Sequence, residues 1–499
     1  MDEKINSLYG KIYRYNQSLL NATCNLDSAY SCPEVIDFYI TSHAMSFIRN
    51  LEFRLIQSHG FIFNARCIIE GIAVKRFCQA SSVDVKLLKK QKSLLEYRYY
   101  TQLKSIIEYI LIPEKLKTDY LEAVNFYKDK LKADYSSSKI NEIIKSPIPF
   151  LCNPHLSYRK IVAEQLGEDF AKVYGILSQT IHPSLNDAYS NIDELKIPFY
   201  VIQLIESEYD SLRKGQHNLD FHCKVALSGP IPKELRSLSY DESDILIHVA
   251  DMIEKLFEKN YISDTLKTLY LLVNEMMLDT LMGLREQTKS KQKLFLDLVS
   301  VFYEIQMKEY PDKQMKLLCQ HAEIQRARNL GAEYNIDKAY KTYLSIYPNG
   351  IDKQIFDEKF ITMTGYLIDQ DGNVKSLTKA VKDYLCRFDN QEDRLKISQI
   401  NMLDYLESQL LSHANGYLFF ANTGAWSEVN NLLIWTDIII ADTLQSILSI
   451  YKNACVEDNK KKYKPLINAI RNGIKEIQVI SNKKIELLNL PAQNLNSVM

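Results

Sequence analysis

Apolar residues recur along this chain every three or four positions, and runs that keep this spacing predict amphipathic or buried helices. In the first half they predict helices over 3–20, 34–58, 61–80, 84–110, 113–133, 156–165, 167–181 and 197–213. The pattern lapses in KGQHNLDFHCKVALSGPIPKELRSLSYDESD, a polar stretch holding Gly215, Gly229, Pro230 and Pro232, which predicts an interdomain connection. It then resumes and predicts helices over 241–260, 262–287, 289–309, 312–330, 335–346, 375–386, 391–413, 427–453 and 461–487. Asp-Gly between short apolar runs in YLIDQDGNVKSL predicts a small hairpin near 366–375. The expected fold is all-α, with a helical bundle over 1–215, a linker over 216–240 and a second bundle over 241–499.

The two halves also echo each other. Tyr174 and His182 stand eight residues apart, as do Tyr405 and His413; Lys-Leu-Leu at 86–88 with Arg98 recurs at 316–318 with Arg328. Glu70 has a counterpart in Glu304, while Ser300 stands where an equivalent of Arg66 would be, and Ala414 rather than proline follows His413. Offsets of similar size in the same order predict a degenerate tandem duplication in which the first copy alone keeps a full set of polar residues.

Composition narrows the class. Glycine (15) and proline (13) are scarce for 499 residues, which favours helices. A net charge of -1 supplies no global attraction to nucleic acid or acidic membranes. Nine scattered cysteines without a Cys-x-x-Cys pair argue against a disulfide framework or zinc site and for a reducing cytoplasm. The opening MDEKINSLYG predicts no secretory signal, and Asp437 and Asp442 interrupt the most apolar long segment, so no membrane association is expected. Nucleotide-binding glycine patterns, the nucleophile elbow and the zinc-protease motif are absent, and no cofactor or metal is expected. His217, His222 and Cys223 form a loose metal-like cluster without a regularly spaced fourth ligand and are read as loop residues.

The candidate chemistry lies in FIFNARCIIEGIAV, residues 61–74, apolar nearly all round except for Arg66 and Glu70. Spaced four apart, the two charges share a helix face, and if buried they must be satisfied by each other and by further polar groups. Gly71 in mid-helix predicts close approach of another helix. In EDFAKVYGILSQTIHPSLND, Tyr174, Ser178 and His182 form a second polar stripe, and Pro183 places His182 at or past a helix end. One reading is a buried ion pair with a capping histidine. The other is a site in which His182 is the acid/base, Arg66 stabilises phosphate charge and Glu70 orients one of them.

Arg-x-x-x-Glu on an apolar helix, followed about a hundred residues later by Tyr-x-x-x-Ser-x-x-x-His-Pro, resembles the bacterial helical family catalogued as domain of unknown function 5677. The matching residues are Arg66, Glu70, Tyr174, Ser178, His182 and Pro183, within roughly 40–215. The resemblance implies the fold and the position of the site, and brings no established reaction.

Arg54 and His59 have the Arg-x4-His spacing of HEPN ribonucleases, but Leu55 replaces the polar residue that usually follows the arginine, and a surface arginine with a helix-ending histidine is the preferred reading. The basic runs at 86–92 and 459–464 read as solvated faces; if the first domain binds RNA, Lys89, Lys90, Lys92 and Arg98 are the phosphate contacts. The 32 tyrosines fall at core-like spacing and read as packing residues. Two functions are therefore weighed. The first is an interaction or regulatory protein of a bacterial stress or phage-defence system, with a protein partner or a homo-oligomer; the second is a metal-independent HEPN-like RNase effector using Arg66, Glu70 and His182. An open cleft around these side chains favours the RNase, and complete burial favours the scaffold.

Overall fold

The computed structural model describes residues 3–23, 32–52, 59–107, 114–133, 135–138, 140–141, 150–153, 155–180, 197–209, 233–257, 261–281, 285–363, 366–386, 426–454 and 460–495. These form seventeen α-helices and one two-stranded hairpin, an all-α fold. The chain divides into two compact units; the described residues up to Tyr209 belong to the first, and those of 233–384 and 426–495 to the second.

In the first unit the helices are α1 (Glu3–Thr23), α2 (Cys32–Glu52), α3 (His59–Ala80), α4 (Val85–Ile107), α5 (Glu114–Lys132), α6 (Tyr158–Leu166), α7 (Glu168–Thr180) and α8 (Ile197–Tyr209). The apolar girth of α3 makes it the central helix, with Phe61, Ile68, Ile69, Ile72 and Val74 all buried, and it packs against α2, α6, α7 and α8. Gly71 explains how close α2 comes: a Cβ there would lie 2.7 Å from Ile40 Cγ1 and 3.1 Å from the Tyr39 ring. Helices α4 and α5 pair separately around Leu94, Tyr97, Val124 and Leu131. Ser157 caps α6 by accepting from the Lys160 amide, and Gly167, at φ +97°, turns the chain into α7.

The second unit holds α9 (Lys233–Leu256), α10 (Tyr261–Leu281), α11 (Arg285–Gln306), α12 (Pro311–Leu330), α13 (Ile336–Ile346), α14 (Lys353–Thr362), β1 (Leu367–Ile368), β2 (Val374–Lys375), α15 (Leu377–Cys386), α16 (Trp426–Ala454) and α17 (Lys460–Leu495). Contacts run α9 to α10, α10 to α11, α11 to α16, α16 to α17 and α17 back to α9, closing a five-helix bundle. Beside it, α12, α13 and α14 enclose an aromatic core of Tyr343, Phe356 and Phe360. The expected hairpin is present, with antiparallel β1 and β2 pairing Leu367 with Lys375 and Ile368 with Val374, and Gly372 at φ +74° in the turn.

Two expectations need correction. Residues 233–240 of the expected linker are the first two turns of α9, because KELRSLSY contains no helix breaker once Pro232 is passed. Helix α14, not foreseen, is short and carries only Phe356 and Phe360 as fully buried side chains, too few to register as a helical repeat. The expected helix over 391–413 lies outside the described residues.

Helices α1, α2, α3 and α8 begin at residues 3, 32, 59 and 197, and α9, α10, α11 and α16 at 233, 261, 285 and 426, each about 226–230 positions later. The contacts follow the same order, since α2 packs on α1 and α3 as α10 packs on α9 and α11, and α3 touches α8 as α11 touches α16.

One chemical change made at two glycines tests the packing. At Gly10 in α1 nothing lies within 4 Å of an added Cβ, so Gly10→Ala should stabilise by about 0.5–1 kcal/mol through helix propensity. Gly71→Ala should instead destabilise by about 1–2 kcal/mol, as crowding against Ile40 exceeds the propensity gain. Urea unfolding of both variants checks this, and an increase in stability at Gly71 would contradict the close α2–α3 approach.

Candidate functional site

Arg66 and Glu70 project from α3 toward α7, and the structure brings them together with Tyr174 and Ser178. Arg66 Nη2 donates to Glu70 Oε2 at 3.1 Å and to the Tyr174 hydroxyl at 3.3 Å, while its Nε donates to Ser178 Oγ at 3.1 Å. Tyr174 donates to the same Glu70 oxygen at 2.5 Å. The guanidinium carbon stands 5.5 Å from the centre of the Tyr174 ring. An i, i+4 pair on one helix is thereby tied across to the i and i+4 positions of another, which is how two charges become tolerable in an apolar helix.

The site is closed. Arg66 is 2% exposed and Glu70 1%, and Tyr174 is buried with them. Burial opposes the charge on Arg66, but Tyr174, Glu70 and Cys67 outweigh it and hold its pKa above the ordinary arginine value. Burial also raises the Tyr174 hydroxyl; Arg66 works against that rise and Glu70 adds to it, so the phenol stays protonated and donates. On the α2 side, burial, then Cys67 and Glu70, push Tyr39 well above the usual phenol range. His182, Pro183, Arg54, His217, His222, Cys223, Tyr405 and His413 lie outside the described residues, and of His59 only its backbone place at the start of α3 is described.

The basic residues proposed for RNA do not form one exposed face. Lys89 on α4 is exposed, whereas Lys90, Lys92 and Arg98 are half-buried. Lys92 lies 3.7 Å from Glu96, and burial lowers the Arg98 pKa. Arg98 is therefore a packing residue for part of its length, poorly placed as a phosphate contact.

Three further charged clusters were not legible as such. In the first unit Lys75 bridges Asp37 and Glu208, each at 2.8 Å, Arg76 adds a second cation on Glu208, and Tyr15 and Tyr209 donate to Asp37. This links α1, α2, α3 and α8. In the second unit Lys291 on α11 reaches Glu275 and Asp279 of α10, all three fully buried. Lys484 on α17 reaches Glu242 of α9 at 2.7 Å and Asp437 of α16 at 2.6 Å, again fully buried. Burial, then Glu242, raise Asp437 well above its ordinary value against the pull of Lys484. Asp37, Asp279 and Asp437 each interrupt an apolar run, which is the signal that could have marked them; Lys291, inside KSKQK, carries none.

On α11, Ser300 is buried, and Glu304 is held by Lys375 and Lys308. An i, i+4 pair like that of α3 does exist on this helix, between Lys293 and Asp297 at 2.7 Å. Asp297 is buried and Lys293 nearly so. Set beside RCIIEGIAV at 66–74, KLFLDLVSV at 293–301 places basic opposite basic and acid opposite acid.

Comparison with protein-family models, with curated proteins and with solved structures returns no match. Among the described residues no three of His, Cys, Asp or Glu gather as a metal site, and no helix is long and apolar enough to cross a membrane.

Two measurements test the closed polar sites. Arg66→Met strands the Glu70 carboxylate and should cost about 3–5 kcal/mol in chemical denaturation. Arg66→Met/Glu70→Met should lose less, because no bare charge remains; equal or greater loss would show that the pair is not sealed. For Asp437, the folded pKa stands above the unfolded value of 3.8, so stability falls as pH rises from about 4 toward the folded pKa. Lys484, raised above 10.5 because its two carboxylates outweigh its burial, adds stability that is lost above that value. Melting of the wild type should decline more steeply as pH rises above about 4 than melting of Asp437→Asn, and parallel pH profiles would refute the raised pKa of Asp437.

Proposed function

We propose that the chain is a helical interaction or regulatory protein of a bacterial stress or phage-defence system, in which the Arg66, Glu70, Tyr174 and Ser178 cluster fixes helix packing. The observation that carries this reading is the enclosure of Arg66 and Glu70, whose charges are spent on each other and on α7. A phosphate would have to displace Glu70, Tyr174 and Ser178 together to reach the guanidinium, and the buried carboxylate would repel it. The dispersed basic residues of α4 weigh in the same direction, since RNA binding draws on a continuous exposed cationic face. The bacterial setting rests on the motifs shared with the family catalogued as domain of unknown function 5677, and the genes beside its own are the observation that tests it.

The reading includes descent of the two halves from a tandem duplication. Its support is the common order of helix starts and contacts, together with the correspondence of Arg66 and Glu70 to Lys293 and Asp297. On this alignment the second copy keeps a basic and an acidic residue four apart, and Ser300 and Glu304 are not the equivalents of Arg66 and Glu70. A packing role in both copies accounts for such charge-conserving differences, whereas the fork geometry of a phosphate-binding arginine is not preserved by lysine.

Purified protein is expected to leave single-stranded and structured RNA intact, and His182→Ala should change neither that result nor partner-dependent activity in cells. RNA cleavage lost in His182→Ala at unchanged melting temperature would overturn the scaffold reading and establish the RNase one.

A further inference from the structure

A groove of about 650 Å³ runs between α9 and α17 in the second unit. Its floor is apolar: Ile245 and Ile480 are buried there, and Gly473 lets the helices touch, with an added Cβ lying 2.9 Å from Ile245 Cγ2. The helices are antiparallel, because Gly473 sits by Ile245 and Val249 while Lys484, further along α17, reaches back to Glu242.

The walls carry opposite charges. Asp241, Asp244 and His248 stand on the α9 side, and Lys475 and Lys483 with Glu476 on the α17 side, all exposed. None of these six makes a hydrogen bond or ion pair with any described residue, although each wall faces the opposite charge across the groove. Val479 between the lysines is 52% exposed, and Tyr240 beside Asp241 is exposed as well. The groove is thus rimmed by unmatched charge over an apolar floor, chiefly acidic on α9 and, Glu476 apart, basic on α17.

We propose that the α9–α17 groove is a self-association surface that takes a second copy of this chain. A two-fold axis along the groove lays α9 of each copy on α17 of the other, so the acidic wall meets the basic wall twice and Val479 is covered on both sides. Charge complementarity selects this occupant. A foreign helix would need a basic flank and an acidic flank at matching separation, whereas a second copy presents both walls by symmetry. The surface belongs to the second unit and the Arg66 cluster to the first, so its failure would leave the reading of that cluster standing.

Charge reversal tests the proposal on the full chain by analytical ultracentrifugation. The wild type should dimerise, less so at high salt. Asp241→Lys/Asp244→Lys makes both walls positive and Lys475→Glu/Lys483→Glu makes both negative, and each should weaken dimerisation at least about tenfold. An equimolar mixture of the two variants should dimerise again, since each positive wall then meets a negative one. Circular dichroism melting checks that both variants keep the helical fold; if either fails, Asp241→Asn/Asp244→Asn and Lys475→Gln/Lys483→Gln replace them, each expected to weaken the dimer. A wild type that stays monomeric up to its solubility limit, a dimer indifferent to the substitutions, or variants that do not recover on mixing would each overturn it.

Discussion

The buried cations Arg66, Lys75, Lys291 and Lys484 are each matched by a carboxylate and tied to at least one neighbouring helix, and that requirement organises both units. A buried charge left single costs more than most apolar contacts return, so the helices that supply the partners are not interchangeable. Lys75 draws on α2 and α8, Arg66 on its own helix and α7, Lys291 on α10, and Lys484 on α9 and α16. Apolar burial provides the bulk of the stabilisation, while these pairings decide which faces meet.

The all-helical architecture was readable because the apolar period holds through nearly every long segment, and most expected helices coincide with observed ones to within a few residues. Boundaries were less readable where only capping or a masked hydrophobic face could have set them. Residues 233–240 read as linker because their polarity and the prolines before them dominate the local signal, yet Leu235 and Leu238 are buried in α9. The convergence of Arg66 and Glu70 with Tyr174 and Ser178 followed from one rule, that two charges on an apolar helix need polar partners. The lysine clusters of the second unit escaped because a buried lysine looks like a surface lysine in sequence; only the acids in apolar runs betray the pairing. Under the proposed duplication the counterpart of Arg66 was sought as another arginine, a search that passes over the lysine of the Lys293 and Asp297 pair.

The two units solve the same problem with different proportions. The central helix α3 is apolar along most of its length, with Arg66, Glu70 and Lys75 as its buried charges, whereas the first half of α11 buries Gln287, Lys289, Lys291 and Gln292 close together. A polar interior of this kind fixes geometry through directional bonds, where much of α3 relies on shape.

Sealing a cation and an anion on adjacent turns of one helix also shapes how the segment can drift over generations. Losing either charge alone leaves the other stranded, so the neutral routes out are narrow: arginine to lysine, glutamate to aspartate, with the bystanders free to exchange one aliphatic for another. If the proposed duplication holds, RCIIEGIAV and KLFLDLVSV differ in this way, charge kept at both polar positions and identity relaxed nearly everywhere between and after them. Such a segment holds an inheritable register mark, legible in the spacing of its charges long after the letters around them have changed.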